Sequence, residues 1–288
     1  MNKYKILFPS YPGSINKIEP DFENEYNVAK TLGFDIILFD HEELVANGEI
    51  ICSNLKDSGG VLLVILRGWM LAPKQYKRLY NYLAMQNHLL INNVSKYTNC
   101  HYLPHSYPLL MRYSPLTIWN NQRNTNTLKN MLSFMGGKDF IIKDYVKSEK
   151  AYPRLFKFDG DVSIEEFEQR VKEFVKERGT LFNKGTVLRQ FVDLAKYDEE
   201  VNEWRGFFLC GKLISLTRNS NIKQNSLNRP SDRLVKKIAR DIHLFSNFFT
   251  IDFAEKQNGE WMVVETGDGQ VSGLTPNQNP IGLFNNFK

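Results

Sequence analysis

The sequence predicts a mixed α/β (α+β) protein with a small parallel α/β unit at its N-terminal end, and three observations predict it. Residues 4 to 103 alternate short apolar runs with helix-like stretches, the pattern of a mostly parallel sheet. A helix ending at Gly136-Gly137 is followed by the strand-like run DFIIKDYVKS. Two antiparallel strand pairs close the chain, with tight-turn signals at Cys210-Gly211 (or Gly211-Lys212) and at Asn258-Gly259.

In the first unit, strands are expected at Lys5 to Pro9, Asp35 to Phe39, Gly60 to Leu66 and His88 to Asn92. Helices fill roughly Asp21 to Leu32 and Pro73 to Gln86, the second opened by proline in its first turn. The loop RGWML follows the most hydrophobic strand, and ligands of parallel sheets gather at the carboxyl ends of strands. Arg67 is therefore a candidate for holding an anionic substrate group, with packing on Trp69 as the alternative.

Cys100, His101 and His105 do not make a zinc site, because Pro104 breaks the helix that would align the histidines and no fourth ligand follows. The proline-rich stretch from Leu103 to Pro115 reads as a connector. In the next strand, Lys143 sits amid apolar residues, which is costly unless the lysine is paired or functional, so it is a candidate phosphate ligand. Ser163 with Glu166 caps a helix whose stripe is Phe167, Val171, Phe174 and Val175, and Thr186 to Leu194 is a short strand with an exit.

With a two-residue turn, the pair WRGFFL and KLISLT keeps Glu203, Arg205 and Arg218 on one face, leaving positive charge to spare for a polyphosphate. Ser231 caps a further helix with the stripe Leu234, Val235, Ile238, Ala239 and Ile242. In the last hairpin, symmetric pairing outward from Gln257 opposite Glu260 sets Asp252 opposite Glu265, with Asp268 following in a Gly-rich loop. At roughly 5 Å and an effective dielectric near 20 the bare repulsion is about 3 kcal/mol, so a positive charge belongs between the two carboxylates. An oxygen-only set of three carboxylates suits Mg²⁺, and a nearby Lys or Arg is the alternative.

The composition excludes several classes. A net charge of +5, with basic residues scattered and no arginine-rich arm, does not indicate nucleic acid. Cys52, Cys100 and Cys210 contain no CxxC pair, so a reducing cytoplasm is expected. The N-terminal apolar run is too short for a signal peptide, and no stretch approaches a membrane span. No GxxxxGK[ST] or GxGxxG phosphate motif is present, nor a nucleophilic triad. The lysine strand, two arginines and the carboxylate hairpin together suit binding of Mg²⁺-ATP.

The order IIKDYVKS, VLRQFVDL, EWRGFFLCGKLISL and IDFAE…EWMVVETGDGQVSGL resembles the ATP-grasp fold. The likeness is nearest the largely bacterial and phage subgroup named for two arginines and one lysine. It is more distant from the eukaryotic ATP-grasp proteins that assist assembly of a translation initiation factor. The resemblance implies a pre-ATP-grasp α/β domain over 1–105, a small lobe over 106–192 and a large lobe over 193–288. It implies ATP phosphates on Lys143, adenine read by the hinge residues Gln190, Phe191 and Val192, and Arg205 and Arg218 on the phosphate side. Mg²⁺ would lie on Asp252 and Glu265, helped by Asp268, since the usual asparagine position is Gly267. Phosphate closure would fall to Lys147, Ser148 or Arg154. The expected activity is an ATP-dependent carboxylate-amine ligase with small-molecule or peptide substrates. An ATP-binding assembly or adaptor protein and a small-molecule phosphotransferase are the alternatives.

Overall fold

The computed structural model describes residues 3–55, 59–146, 156–222, 228–242, 246–276 and 278–288. The first sheet contains β1 (Tyr4–Tyr11), β2 (Ser14–Ile18), β3 (Ile36–Phe39), β4 (Leu62–Leu66) and β5 (His88–Leu90). β3 and β4 flank β1 in parallel and β5 extends the sheet in parallel, as the apolar runs predict. β2, which lacks a strong apolar pattern, adds an antiparallel strand at the end of β1. The helices here are α1 (Glu23–Thr31), α2 (His41–Ala46) and α3 (Pro73–Met85). α3 buries Tyr76, Leu79 and Leu83, a three-to-four-residue stripe that fixes which face meets the sheet.

The expected connector is helical instead. α4 (Val94–His101) and α5 (Leu103–Leu110) lie end to end, and α5 contains both Pro104, in its first turn, and Pro108. Leu110 and Cys100 join a core cluster with Phe249, Ile251, Phe253 and Val263, so tertiary burial outweighs the poor local propensity.

The second sheet runs β6 (Thr117–Asn120), β9 (Thr186–Gln190), β7 (Phe140–Lys143) and β8 (Lys157–Phe158), all antiparallel. One face packs Phe140, Ile142, Phe158 and Leu188 against α6 (Thr125–Met135) and α7 (Ile164–Arg178). Gly136 ends α6 in the left-handed region at φ 61°, and the Ser163 side chain accepts from the Glu166 amide at the start of α7.

After the two-residue strands β10 (Lys196–Tyr197) and β11 (Glu200–Val201), the third sheet runs β13 (Lys212–Arg218), β12 (Glu203–Leu209), β14 (Phe248–Glu255), β15 (Trp261–Asp268). α8 (Asp232–Ile242) packs Val235, Ile238 and Ala239 on the Phe208, Phe249 and Phe253 face. The opposite face carries Phe207 and Phe248 into a cluster shared with Phe8 of β1 and with Phe284 of α9 (Pro280–Phe284). Among the described residues, no helix is long and apolar enough to cross a membrane.

Candidate active site

Two hairpins place the acidic and basic groups. In the first, Cys210 and Gly211 take φ values of 48° and 79°, the pair of left-handed conformations that a primed two-residue turn demands. Leu209 pairs with Lys212 and Phe208 with Leu213, but Phe207 then pairs with Ser215, so Ile214 is an extra residue. That bulge shifts the ladder by one, and Arg218 lies opposite Trp204 rather than on the Arg205 face. The expectation that Glu203, Arg205 and Arg218 share a face is corrected accordingly. Arg218 lies 5.6 Å over the Trp204 ring and donates to the Ile222 carbonyl at 2.9 Å.

In the second hairpin only Gly259 has positive φ, at 81°, and Lys256 donates to the Glu260 carbonyl, so the loop has three residues, not two. Phe253 consequently pairs with Val263. Val264 then bulges out, and the ladder resumes with Asp252 opposite Glu265, the expected pairing. Asp252 is 3% exposed and accepts a bidentate pair from Arg205, at 2.8 Å from Nε and 2.6 Å from Nη2. Arg205 also donates to the Gly273 carbonyl at 3.1 Å. Lys143 of β7 is buried and reaches to 3.8 Å from Glu265. Both carboxylates thus have the positive neighbour that their opposition calls for, and all four charges lie where the second sheet faces the third.

β7 and β9 bring more to this cleft. Strand pairing puts Ile141, Lys143, Lys157, Val187 and Arg189 on one face. Lys157, missed from sequence because it follows residues of no clear pattern, lies 3.4 Å from Asp139 and 4.0 Å over the Phe191 ring. Arg189, also missed, is 5% exposed and donates to the carbonyls of both Val263 and Val264, the residues of the bulge. Burial pushes its guanidinium down to about 10, against the pull of Glu265. A β-strand arginine flanked by Leu188 and Gln190 was the available signal. Replacing it with methionine (Arg189→Met) takes this donor from the Val264 carbonyl, while the Val263 carbonyl keeps the Ser114 hydroxyl at 3.0 Å, an expected cost of about 1 to 3 kcal/mol. Urea denaturation checks that figure, and an unchanged midpoint would deny the arginine its bracing role.

Asp268 lines the same cavity as Asp252 and Glu265, but its carboxylate is taken up by other partners. It pairs with Phe249, on the other face of the strand, and its carboxylate accepts from Asn92 at 2.6 Å and from the Gln270 amide at 2.9 Å. The expectation of a third carboxylate is corrected: among the described residues no group of three or more His, Cys, Asp or Glu is arranged to hold a metal ion. A side chain at Gly267 would also have to displace the Ser272 Oγ and the Thr250 Oγ1, which lie 2.7 Å and 2.9 Å from where its Cβ would be. Two opposed carboxylates still fit Mg²⁺, which ordinarily takes one or two carboxylates and completes its shell with phosphate and water oxygens. They line a polar cavity of about 130 Å³ with Arg205, Thr250 and Ser272.

Burial pushes the Asp268 carboxyl up to about 6, although its hydrogen bonds and Arg67 pull it down. Its folded pKa lies above the unfolded value of about 3.9, so the folded state holds the extra proton between about pH 4 and 6. The associated stability is fully present below about pH 4 and is lost as pH rises through 6, by about 3 kcal/mol in total. The difference in unfolding free energy between wild type and Asp268→Asn should change across that window. A difference constant from pH 4 to 7 would contradict it.

Arg67 is 1% exposed, and its partner is internal. It holds Glu25 through Nε at 2.7 Å and Nη2 at 3.0 Å, and donates from Nη1 to the carbonyls of Gly269 and Ser272. The expectation that it holds a substrate carboxylate is corrected: the carboxylate it holds is that of Glu25. Lys147, Ser148 and Arg154 lie outside the described residues. At the expected hinge, the amides of Gln190 and Phe191 donate to the Leu116 and Asp139 carbonyls. Phe191 and Val192 line a cavity of about 830 Å³ with Phe156, Leu194 and Tyr197.

The lysine strand thus lies on the second sheet and the carboxylate pair on the third, behind a parallel α/β sheet. A family model described as an ATP-grasp domain, the third family of its clade, matches residues 135–283, and the chain belongs to that family. The fold is that of solved ATP-grasp structures across nearly the whole chain. D-alanyl-alanine synthetase A from Vibrio cholerae is 11% identical, with a TM-score of 0.59 over 99% of this chain and 94% of that one. An ATP-grasp RimK domain protein from Sphaerobacter thermophilus is 12% identical, with a TM-score of 0.62 over 98% of each chain. The macrocyclase MdnC from Microcystis aeruginosa, bound with its precursor peptide, is 12% identical, with a TM-score of 0.59 over 98% and 100%. A search of the curated proteins found no match.

Proposed function

We propose that this protein is an ATP- and Mg²⁺-dependent ligase that joins a carboxylate to an amine through an acylphosphate. The observation that carries this reading is the meeting of Lys143 with Glu265 and of Arg205 with Asp252 in one cleft. Lys143, Lys157 and Arg205 supply positive charge for phosphate oxygens. Asp252 and Glu265 would hold Mg²⁺, which supplies charge neutralisation at the transferring phosphate. The cavity at Phe191 and Val192 is the candidate adenine site, read from Val192 onward because the two preceding amides are already bonded.

In the reaction, a carboxylate oxygen of the substrate attacks the γ-phosphorus and the bond to the β,γ-bridging oxygen breaks, releasing ADP. The amine then attacks the acyl carbon, expelling phosphate and losing a proton to solvent. No protein nucleophile is needed, because the side chains act by orienting groups and holding charge. Ligases among the similar structures, including the macrocyclase with its precursor peptide, support peptide and small-molecule acids as substrates to test first.

Phosphorus NMR of the protein with Mg²⁺-ATP and pooled acids, amino acids and short peptides, with and without hydroxylamine, tests the reading. Substrate-dependent ADP and phosphate, with a hydroxamate in the trapped sample, is the expected result. Phosphate release with no trappable acyl group from any productive pool would overturn the acylphosphate route.

A further inference from the structure

A cavity of about 740 Å³ lies in front of the reaction centre, between the start of α1, the loop after β4 and the loop after β15. Met70, Val271, Ser272 and Gly273 line both this cavity and the smaller one at Asp252 and Glu265, so the two are adjoining chambers. Gly273 is also the residue whose carbonyl Arg205 holds, which puts the shared wall next to the proposed phosphate side.

The chemistry of the front chamber differs from that of the back. Its charged lining residues are Asp21 and Glu25, and among the described residues it has no lysine or arginine. Glu25 is already neutralised by Arg67 behind it. Asp21 is exposed, and among the described residues no cation pairs with it within salt-bridge distance. Trp69 lines the same cavity, held by edge contacts with Phe22, the residue after Asp21, at 5.3 Å and with His41 at 5.1 Å. Burial raises the neighbouring Glu19 carboxyl, and the negative charges of Asp21 and Glu42 raise it further, which marks this rim as a region of negative potential. A carboxylate beside an indole suits an ammonium group, through ion pairing and attraction to the ring. A substrate carboxylate would meet repulsion there, whereas the back chamber, although it also carries Asp252, Glu265 and Asp268, has the Arg205 guanidinium in its wall.

We infer that the front chamber is the amine site: it admits the amine substrate as an ammonium-bearing molecule, ordered by Asp21 and Trp69, while the acid enters from the phosphate side. This rests on the ligase reading for the word substrate, but the binding preference stands on the chamber alone. Before it attacks, the ammonium gives one proton to solvent, and the second is lost to solvent as the amide forms.

The test uses the full chain labelled with fluorotryptophan. The four tryptophans give a small spectrum in which the Trp69 resonance is assigned by its absence in Trp69→Phe. Two probe sets are titrated: amides of the common amino acids, which carry an ammonium and no carboxylate, and their N-acetyl acids, which carry the reverse. The expected result is a saturable shift of the Trp69 resonance with one or more amides and none with the N-acetyl acids, weakened about fivefold by Asp21→Asn. A shift with the N-acetyl acids alone, silence toward every amide, or amide binding indifferent to Asp21→Asn would each overturn the assignment. Amide binding without phosphate release from any acid and amine pool would instead defeat the ligase reading and leave the ammonium chamber standing.

Discussion

Replacement of Glu265 by glutamine should lower ATP turnover by at least about 100-fold, the scale on which loss of one charged group at a transferring phosphate is felt. The change is isosteric but takes from Lys143, 8% exposed, its carboxylate at 3.8 Å, so the folded state should lose about 1 to 2 kcal/mol, less than for a close bidentate pair. The paired residue behaves differently. Asp252→Asn should abolish turnover to the same degree, but it also strips the bidentate partner from Arg205, whose side chain is only 17% exposed. An unpaired guanidinium at that depth adds an expected loss of about 2 to 4 kcal/mol. Turnover rates and thermal denaturation of the two variants separate the roles. Full turnover in Glu265→Gln would remove the carboxylate pair from the mechanism.

Arg67→Ala should be the most destabilising single change outside the apolar core. It leaves the Glu25 carboxylate buried without a counter-charge, and the carbonyls of Gly269 and Ser272 without a donor. Breaking a buried ion pair from one side costs about 3 to 5 kcal/mol, which for a chain of this size lowers the midpoint by roughly 10 °C. The variant Arg67→Ala with Glu25→Gln should recover part of the loss, because the orphaned charge is gone. A midpoint within a degree of wild type would show that Glu25 turns to solvent at no cost. Substrate KM is not the informative reading here, since the guanidinium is buried and held by Glu25.

The parallel first sheet was legible because its strands are short apolar runs separated by amphipathic helices. α4 and α5 were not, because Pro104 and Pro108 argue locally against the helix that burial imposes. The two hairpins show where reading a site from a sequence reaches its limit. Turn chemistry correctly located Cys210-Gly211, yet the bulge at Ile214 moved Arg218 off the expected face. At Asn258-Gly259 the turn itself was one residue longer than expected, and the bulge at Val264 restored the pairing of Asp252 with Glu265. Both ladders oppose the same two carboxylates and differ in where the extra residue lodges. The observed one buries Val263 completely and offers two carbonyls to Arg189, contacts that come from distant parts of the chain. A bulge is decided by tertiary partners, so alternation alone does not fix which face a residue takes several positions beyond a turn. Arg67 was misread for a related reason: its position at a strand end suggested a ligand, while its true partner, Glu25, lies on a helix 42 residues earlier.

The loop that follows β15 is bonded to residues at the far end of the sequence. Gln270 accepts from the Leu66 amide across 204 positions and donates to the Tyr76 hydroxyl across 194, and Asn92 reaches Asp268 across 176. Phe284 stacks on Phe8, so the last helix caps the first strand. In kinetic terms, these are loops whose closure entropy must be met before any of their contacts can form. During synthesis the first sheet has to persist while some two hundred further residues emerge, and the walls between the two chambers close only once the loop after β15 has been made. The first strand is a seat made well before the segment that comes to occupy it.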